Sequence, residues 1–141
     1  MITFDKLKKV GILLIIFMTF NCTIEKDKFN TIKELSDITI PDNSTIIIYN
    51  DNLELELAFK VLIKKKELHR FLKIYNFKNF YLLEKNPLTM GNTNKLLIYN
   101  IENSFSPREK IMGENLKILK NKKGTLIINC DTHELWGLVS Y

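Results

Sequence analysis

The stretch Leu53-Glu54-Leu55-Glu56-Leu57-Ala58-Phe59-Lys60-Val61-Leu62-Ile63 carries the clearest periodicity in the chain. Leu53, Leu55, Leu57, Phe59, Val61 and Ile63 alternate with Glu54, Glu56 and Lys60. A period of two places these apolar side chains on one face of an extended strand. Wound into a helix, the same positions would scatter around the cylinder. The segment therefore reads as a strand with one buried face. Upstream, Ser44 to Tyr49 (STIIIY) is β-branched and strand-like, and Asn50-Asp51-Asn52 reads as the turn of a β-hairpin joining the two.

Downstream the period lengthens. Leu68, Phe71, Leu72 and Tyr75 recur at helical spacing while Glu67, His69, Arg70 and Lys73 face away, which predicts a helix over Lys65–Asn76. Phe77 to Leu83 reads as a short strand, residues 84–95 as loop, and Leu96 to Tyr99 as another strand. Ser106-Pro107-Arg108-Glu109 fits a capping box with Pro in the first helical position, predicting a short helix to Met112 that stops at Gly113. Leu116–Leu119, Thr125–Cys130 and Leu135–Ser140 read as a meander of strands with turns at 121–124 and 131–134, and Trp136 packs across it. Before the hairpin, Ile32, Leu35, Ile38 and Ile40 suggest a helical turn running into an extended segment, with a turn at Pro41-Asp42-Asn43. The expected fold is α+β: a small antiparallel sheet of about five to six strands, one main helix packed on a face, and a C-terminal β-meander.

At 141 residues, with 45% hydrophobic and 26% charged side chains, the chain has room for one ordinary domain and is neither disordered nor low in complexity. Two cysteines build neither a disulfide framework nor a four-cysteine zinc site. All the basic residues but Arg70 and Arg108 are lysine. That bias, beside abundant Ile and Asn, is what an AT-rich genome produces rather than a phosphate-reading surface.

The first 22 residues carry an address. Lys6, Lys8 and Lys9 precede an apolar run from Val10 to Phe20, followed by Asn21 and Cys22. As a helix that run spans roughly 16 Å against about 30 Å of hydrocarbon, too short for a stable span and right for a signal-peptide core. Met18-Thr19-Phe20-Asn21-Cys22 resembles a bacterial lipobox of the relaxed, spirochaete type, with Thr19 and Asn21 where the common pattern has Leu and a small residue. The resemblance implies that residues 1–21 are a cleaved signal peptide and that Cys22 carries covalent diacylglyceryl and N-acyl (palmitate-type) lipid. Attachment through two or three chains is essentially permanent. The rival readings of this segment are a plain secretory signal and an N-terminal membrane anchor. On either of those, Cys22 is free to pair with Cys130; on the lipoprotein reading, Cys130 is a lone thiol in a strand.

On the lipoprotein reading the expected organisation is signal peptide 1–21, lipidated N-terminus and polar tether 22–31, and one α+β domain over 32–141. Removing residues 1–21 takes three lysines and Asp5, so the net charge falls from +5 to +3.

Chemistry is sparse. Asp131, His133 and Glu134 cluster at what reads as a polar hairpin tip, and His69 lies on the solvated face of the predicted helix. Glu54 and Glu56 read as a solvent-facing row rather than a catalytic pair. No nucleophile elbow, Walker, Rossmann or zincin pattern occurs in the sequence. The basic runs Lys64-Lys65-Lys66 and Lys120, Lys122, Lys123, with Tyr75, Phe77, Phe80 and Tyr81 nearby, superficially suit nucleic acid. An exported domain rarely meets nucleic acid, so these runs read as solubilising lysines, with anionic lipid headgroups as the alternative partner.

The expectation is thus no catalytic, metal or cofactor-binding residue, no nucleic-acid partner, and Cys22 as the lipid-attachment site. The protein reads as a lipid-anchored component of the cell envelope, facing the periplasm or the cell exterior, whose domain binds a protein or small-molecule ligand. Its rivals are an exported enzyme or enzyme inhibitor, and a structural envelope component acting through an exposed strand edge.

Overall fold

The computed structural model describes residues 24–52, 55–80, 98, 100–105 and 110–141. In chain order the elements are helix α1 (24–36), strands β1 (Thr45–Asn52) and β2 (Glu56–Leu62), helix α2 (Lys65–Tyr75), and strands β3 (Lys78–Phe80), β4 (Leu116–Lys120), β5 (Gly124–Asn129) and β6 (Glu134–Ser140). The strands form one antiparallel sheet in the order β1-β2-β6-β5-β4-β3. The α+β class, the main helix on a sheet face and the C-terminal meander of β4, β5 and β6 are as the sequence predicts.

Each face of the sheet carries its own core. On the first, Leu57, Phe59 and Val61 of β2, Leu126 and Ile128 of β5, and Leu135 and Val139 of β6 pack against Ile32 of α1, Ile38 and Ile40 behind it, and Leu68 and Phe71 of α2. On the second, Ala58, Ile127, Trp136, Leu116 and Phe80 pack against Ile98, Ile101, Phe105 and Ile111. Each fully buried Leu, Ile or Phe contributes about 1.5–3 kcal/mol. This corrects the reading of β2 as a strand with one buried face: Ala58 and Lys60, on the alternate positions, are buried too. Alternation with Glu and Lys signals a wet second face only when nothing covers it. Here the segment between β3 and β4 does.

At the centre, β2 and β6 pair with Phe59 opposite Gly137. A methyl group on Gly137 would overlap the Phe59 ring. The glycine leaves open the space in which the aromatic ring lies flat on the sheet.

Residues 24–31, expected as a polar tether, are instead the opening turns of α1, and Phe29 packs on the first core. Only Ile24 and Phe29 break the polarity of that stretch, and two apolar positions show no period. The C-terminus of α1 is fastened from the sheet. Asn121 Nδ2 donates to Ser36 O (2.7 Å) and Lys123 Nζ donates to Glu34 O (2.6 Å), supplying donors to carbonyls a helix end leaves open. Lys123 also pairs with Asp37 (3.0 Å), which ends the helix in the left-handed region at φ 58°. Asn121 Oδ1 meanwhile accepts from the N–H groups of Lys123 and Gly124, so one side chain shapes the β4–β5 turn and caps a helix.

Three further boundaries differ from expectation. The hairpin strands run through Asn52, and the turn lies beyond it, with Leu55 N–H donating to Asn52 O (2.9 Å). Ile98 is helical, as are residues 100–103, whereas Leu96–Tyr99 reads as a strand. Ile98, Ile101 and Phe105 share the second core at helical spacing, and a four-residue apolar run does not reveal its period. Residues 110–112 are not helical, against the helix expected to reach Met112; its capping box at 106–109 lies outside the described residues. Helix α2 ends at Asn76, left-handed at φ 54°, whose N–H donates to Leu72 O.

Gly137→Ala should destabilise the domain by about 1–3 kcal/mol through overpacking against Phe59. Phe59→Leu in the same background should recover part of the loss, a coupling that urea denaturation of the single and double variants would reveal.

Candidate functional site

Cys22, the expected lipid-attachment residue, lies outside the described residues; the structure describes the chain from residue 24, already helical. From there α1, residues 38–44 and α2 form the outer layer over the first core. Thr39–Asn43 is a strap between two open clefts. One, of about 450 Å³, runs between the strap and Glu25, Lys26, Phe29, Asn30 and Lys33 of α1. The other, of about 400 Å³, runs between the strap and Glu67, Arg70, Phe71, Ile74 and Tyr75 of α2. The strap is held by the Thr39 N–H, which donates to the Tyr75 hydroxyl (2.8 Å), and by the Ser44 hydroxyl, which donates to Pro41 O (2.7 Å). At the far end of α2 a third recess lies among His69, Leu72, Lys73, Asn76, Phe77 and Lys117.

The outward stripe of α2 is cationic. Lys65, Lys66, Arg70 and Lys73 are exposed, and Glu67 is the helix's one carboxylate. Ile74 stands among them 59% exposed. By contrast α1 is balanced, with Lys26, Lys28 and Lys33 against Glu25, Asp27 and Glu34.

The second face holds a buried charge. The Lys60 ammonium pairs with Glu134 at 2.8 Å and lies 4.3 Å from the centre of the Trp136 ring, with side-chain exposures of 10% for Lys60 and 25% for Glu134. Trp136 in turn meets Phe105 edge-on at 5.1 Å. The indole and the carboxylate together replace much of the water that the ammonium loses. Nearby, Glu102 accepts from Lys110 (3.2 Å) and from the Ile111 N–H (2.7 Å), pinning the segment before β4 to the helical stretch at 100–103. Asn129 Nδ2 donates to Met112 O, and its Oδ1 accepts from the N–H groups of Asp131 and Thr132.

At the β1–β2 end, Asp51 stands between two phenols: Tyr141 donates to Oδ1 (2.5 Å) and Tyr49 to Oδ2 (3.4 Å). The bond to Asp51 raises the Tyr141 pKa from 10.0 to about 12. Tyr49 is also pushed up, first by burial and then by Asp51, against a lowering hydrogen bond with Thr31.

The sequence candidates fall as follows. Asp131 accepts from Asn115 Nδ2, Glu134 is engaged by Lys60 and by the Thr132 hydroxyl, and His133 adopts φ 62° in the turn. These acidic groups are committed to separate structural partners. Among the described residues no group of three or more His, Cys, Asp or Glu is placed to hold a metal ion. Glu56 accepts from the Ser104 hydroxyl (3.3 Å), so this member of the expected solvent-facing row is tied to the cover of the second face. Glu54 lies outside the described residues, as does Tyr81. Phe77 and Phe80 are buried on opposite faces, and Tyr75 packs on Phe71. Cys130 is a free, half-buried thiol pushed up first by burial and then by Asp131, with Lys117 opposing. The Lys60–Glu134–Trp136 group escapes sequence reading, because only strand pairing brings residues 60 and 136 together.

Among the described residues no helix is long and apolar enough to cross a membrane. No protein family, curated protein or solved structure matches the chain.

Glu134→Gln should cost about 1.5–3 kcal/mol by weakening a charge-assisted bond to a buried ammonium. Adding Lys60→Met should restore part of that stability, because the buried charge goes with it; thermal unfolding of the three variants gives the coupling. Tyr141 should be the late step in an ultraviolet phenolate titration, near pH 12, and Tyr141→Phe should abolish it. Its folded pKa lies above the unfolded 10.0, so the stability this bond contributes is complete below pH 10 and lost as pH rises through about 12.

Proposed function

We propose that the protein is a lipoprotein of the bacterial cell envelope, held to a membrane by acyl chains on Cys22, whose domain works by binding rather than by catalysis. The observation that carries the reading is the N-terminal sequence: Lys6, Lys8 and Lys9, an apolar run of signal-peptide length, and Met18-Thr19-Phe20-Asn21-Cys22. Folded chain is described from residue 24, so on this reading the domain sits directly at the bilayer surface. Binding is supported by the open clefts beside the strap and by the cationic stripe of α2.

A second reading, strand-edge pairing as a structural component, is favoured by one observation. β1 is eight residues long, stands at an edge of the sheet as described, and exposes Ile47. The register shift between Ile46 and Ile48 weighs against it, since bulges blunt edges.

The test is intact mass and membrane partitioning of the full-length protein expressed in a lipoprotein-processing bacterium, beside Cys22→Ala. The expected product starts at Cys22, carries the mass of two or three acyl chains, and partitions with membranes. The variant should remain an unmodified precursor. An unmodified wild-type protein, or one with Cys22 disulfide-bonded to Cys130, would overturn the reading.

A further inference from the structure

We infer that the outward stripe of α2 is a second membrane contact, lying against anionic phospholipid headgroups and fixing which side of the domain faces the bilayer. The inference rests on the lipid-anchor reading and adds to it a surface and a lipid chemistry.

Three observations meet on this surface. The first is charge: Lys66, Arg70 and Lys73 fall on one helical face, with Lys65 at its flank, against the single carboxylate Glu67. The second is an apolar side chain where none is needed for the core. Ile74 projects beside Arg70 at the rim of this face, 59% exposed, and interfacial helices carry apolar groups next to cations in this way. The third is reach. One residue, Thr23, separates Cys22 from Ile24, at most about 7 Å from Cα to Cα in an extended chain, and α1 itself is about 20 Å long. The N-terminal half of α1 shares a cleft with the strap, and the strap shares the next cleft with Arg70 and Ile74. An anchor at Cys22 therefore holds this layer near the membrane.

The groups facing the stripe have been weighed. Glu25, Asp27 and Glu34 on α1 are equalled in number by its own lysines, and Asp42 in the strap lines the same cleft as Arg70. Lys117 extends the positive side beyond Lys73. Headgroup attraction decays over about 8–10 Å at physiological salt, so the charges must lie at the surface to act.

The test is lysine acetylation, read by peptide mass spectrometry, on the full lipidated protein in vesicles of phosphatidylcholine alone and of phosphatidylcholine with phosphatidylglycerol. Lys65, Lys66 and Lys73 should react several-fold more slowly on the phosphatidylglycerol vesicles, and high salt should remove the protection. Lys110 and Lys122, exposed elsewhere, should react alike on both. The full-length Lys66→Glu/Arg70→Glu/Lys73→Glu variant, its fold checked by Trp136 fluorescence, should lose the protection of Lys65 while keeping its acyl mass. Equal reactivity on the two vesicles, protection spread evenly over all lysines, or protection that survives charge reversal overturns the inference and leaves the anchor standing. Absence of acyl mass in the same sample overturns the anchor, and this inference with it.

Discussion

Between β2 and β6, Phe59 lies opposite Gly137 and Lys60 opposite Trp136, and these neighbouring pairs point to opposite faces of the sheet. The strands come from distant parts of the chain, so no tight turn sets their register. Side-chain shape does. Phe59 needs the gap that glycine leaves, and the Lys60 ammonium needs both the indole face and the Glu134 carboxylate. A slip of one residue would exchange the two faces, putting Lys60 among Ile32, Phe71 and Leu126 and leaving the Phe59 ring against the cover of the other side. Both cores therefore depend on one ladder, and the meander, α2 and the segment before β4 assemble on the surfaces it defines.

The two faces are stabilised differently. The first is apolar throughout its centre and is closed by helices from both sides of the hairpin. The second is held by aromatic and polar groups together: Trp136 against Phe105, Lys60 over Trp136, and Glu102 and Asn129 satisfying backbone groups of the covering segment. Such polar contacts add little net energy to a fold but penalise misplaced arrangements, because a buried charge or amide without its partner is costly. Gly113 belongs to this scheme. At φ 129° and with Asn129 Nδ2 against the place a Cβ would occupy, it lets the segment pass close enough for the Asn129 bond to Met112 O.

Much of the sheet was legible in the sequence because its strands are bounded by turn residues: Asn121–Gly124 and Asp131–Glu134 delimit β5 and β6 closely. Helix α2 was equally plain from Leu68, Phe71, Leu72 and Tyr75. What stayed hidden depends on tertiary contact. Helix α1 shows few apolar positions in its first turns and is secured by Asn121 and Lys123, which read locally as a polar turn. The second core was obscured because Ile98, Ile101 and Phe105 are too short a run to show a period, and because Glu56 and Lys60 mimic a solvent-facing pattern while serving as buried or tethered partners. Of the proposed membrane-facing surface, the lysines opening α2 were visible as a run. Their alignment with Arg70, Lys73 and the exposed Ile74 becomes meaningful only once Leu68 and Phe71 fix which side of the helix is out.

That fixed orientation bears on how a tethered domain of this shape would work. Were the chain anchored just before α1, the layer of α1, strap and α2 would be the side nearest the bilayer, since all three cover the same sheet face. The opposite face, with its cover over Trp136, would then be directed away from the lipid, with the β1 edge beside α1, where Lys28 lies over the Tyr49 ring. Along that edge the far end of β1 is already engaged, Asn50 by Ser104 O and Asp51 by two phenols, whereas Thr45 and Ile47 remain exposed beside the bulge. Its Thr45 end adjoins Asn43, which lines both clefts, so the exposed part of this edge belongs with the strap layer. The anchored layer and the Trp136 cover would then lie on opposite sides of one sheet, and the β2–β6 register that separates its two faces would keep them apart.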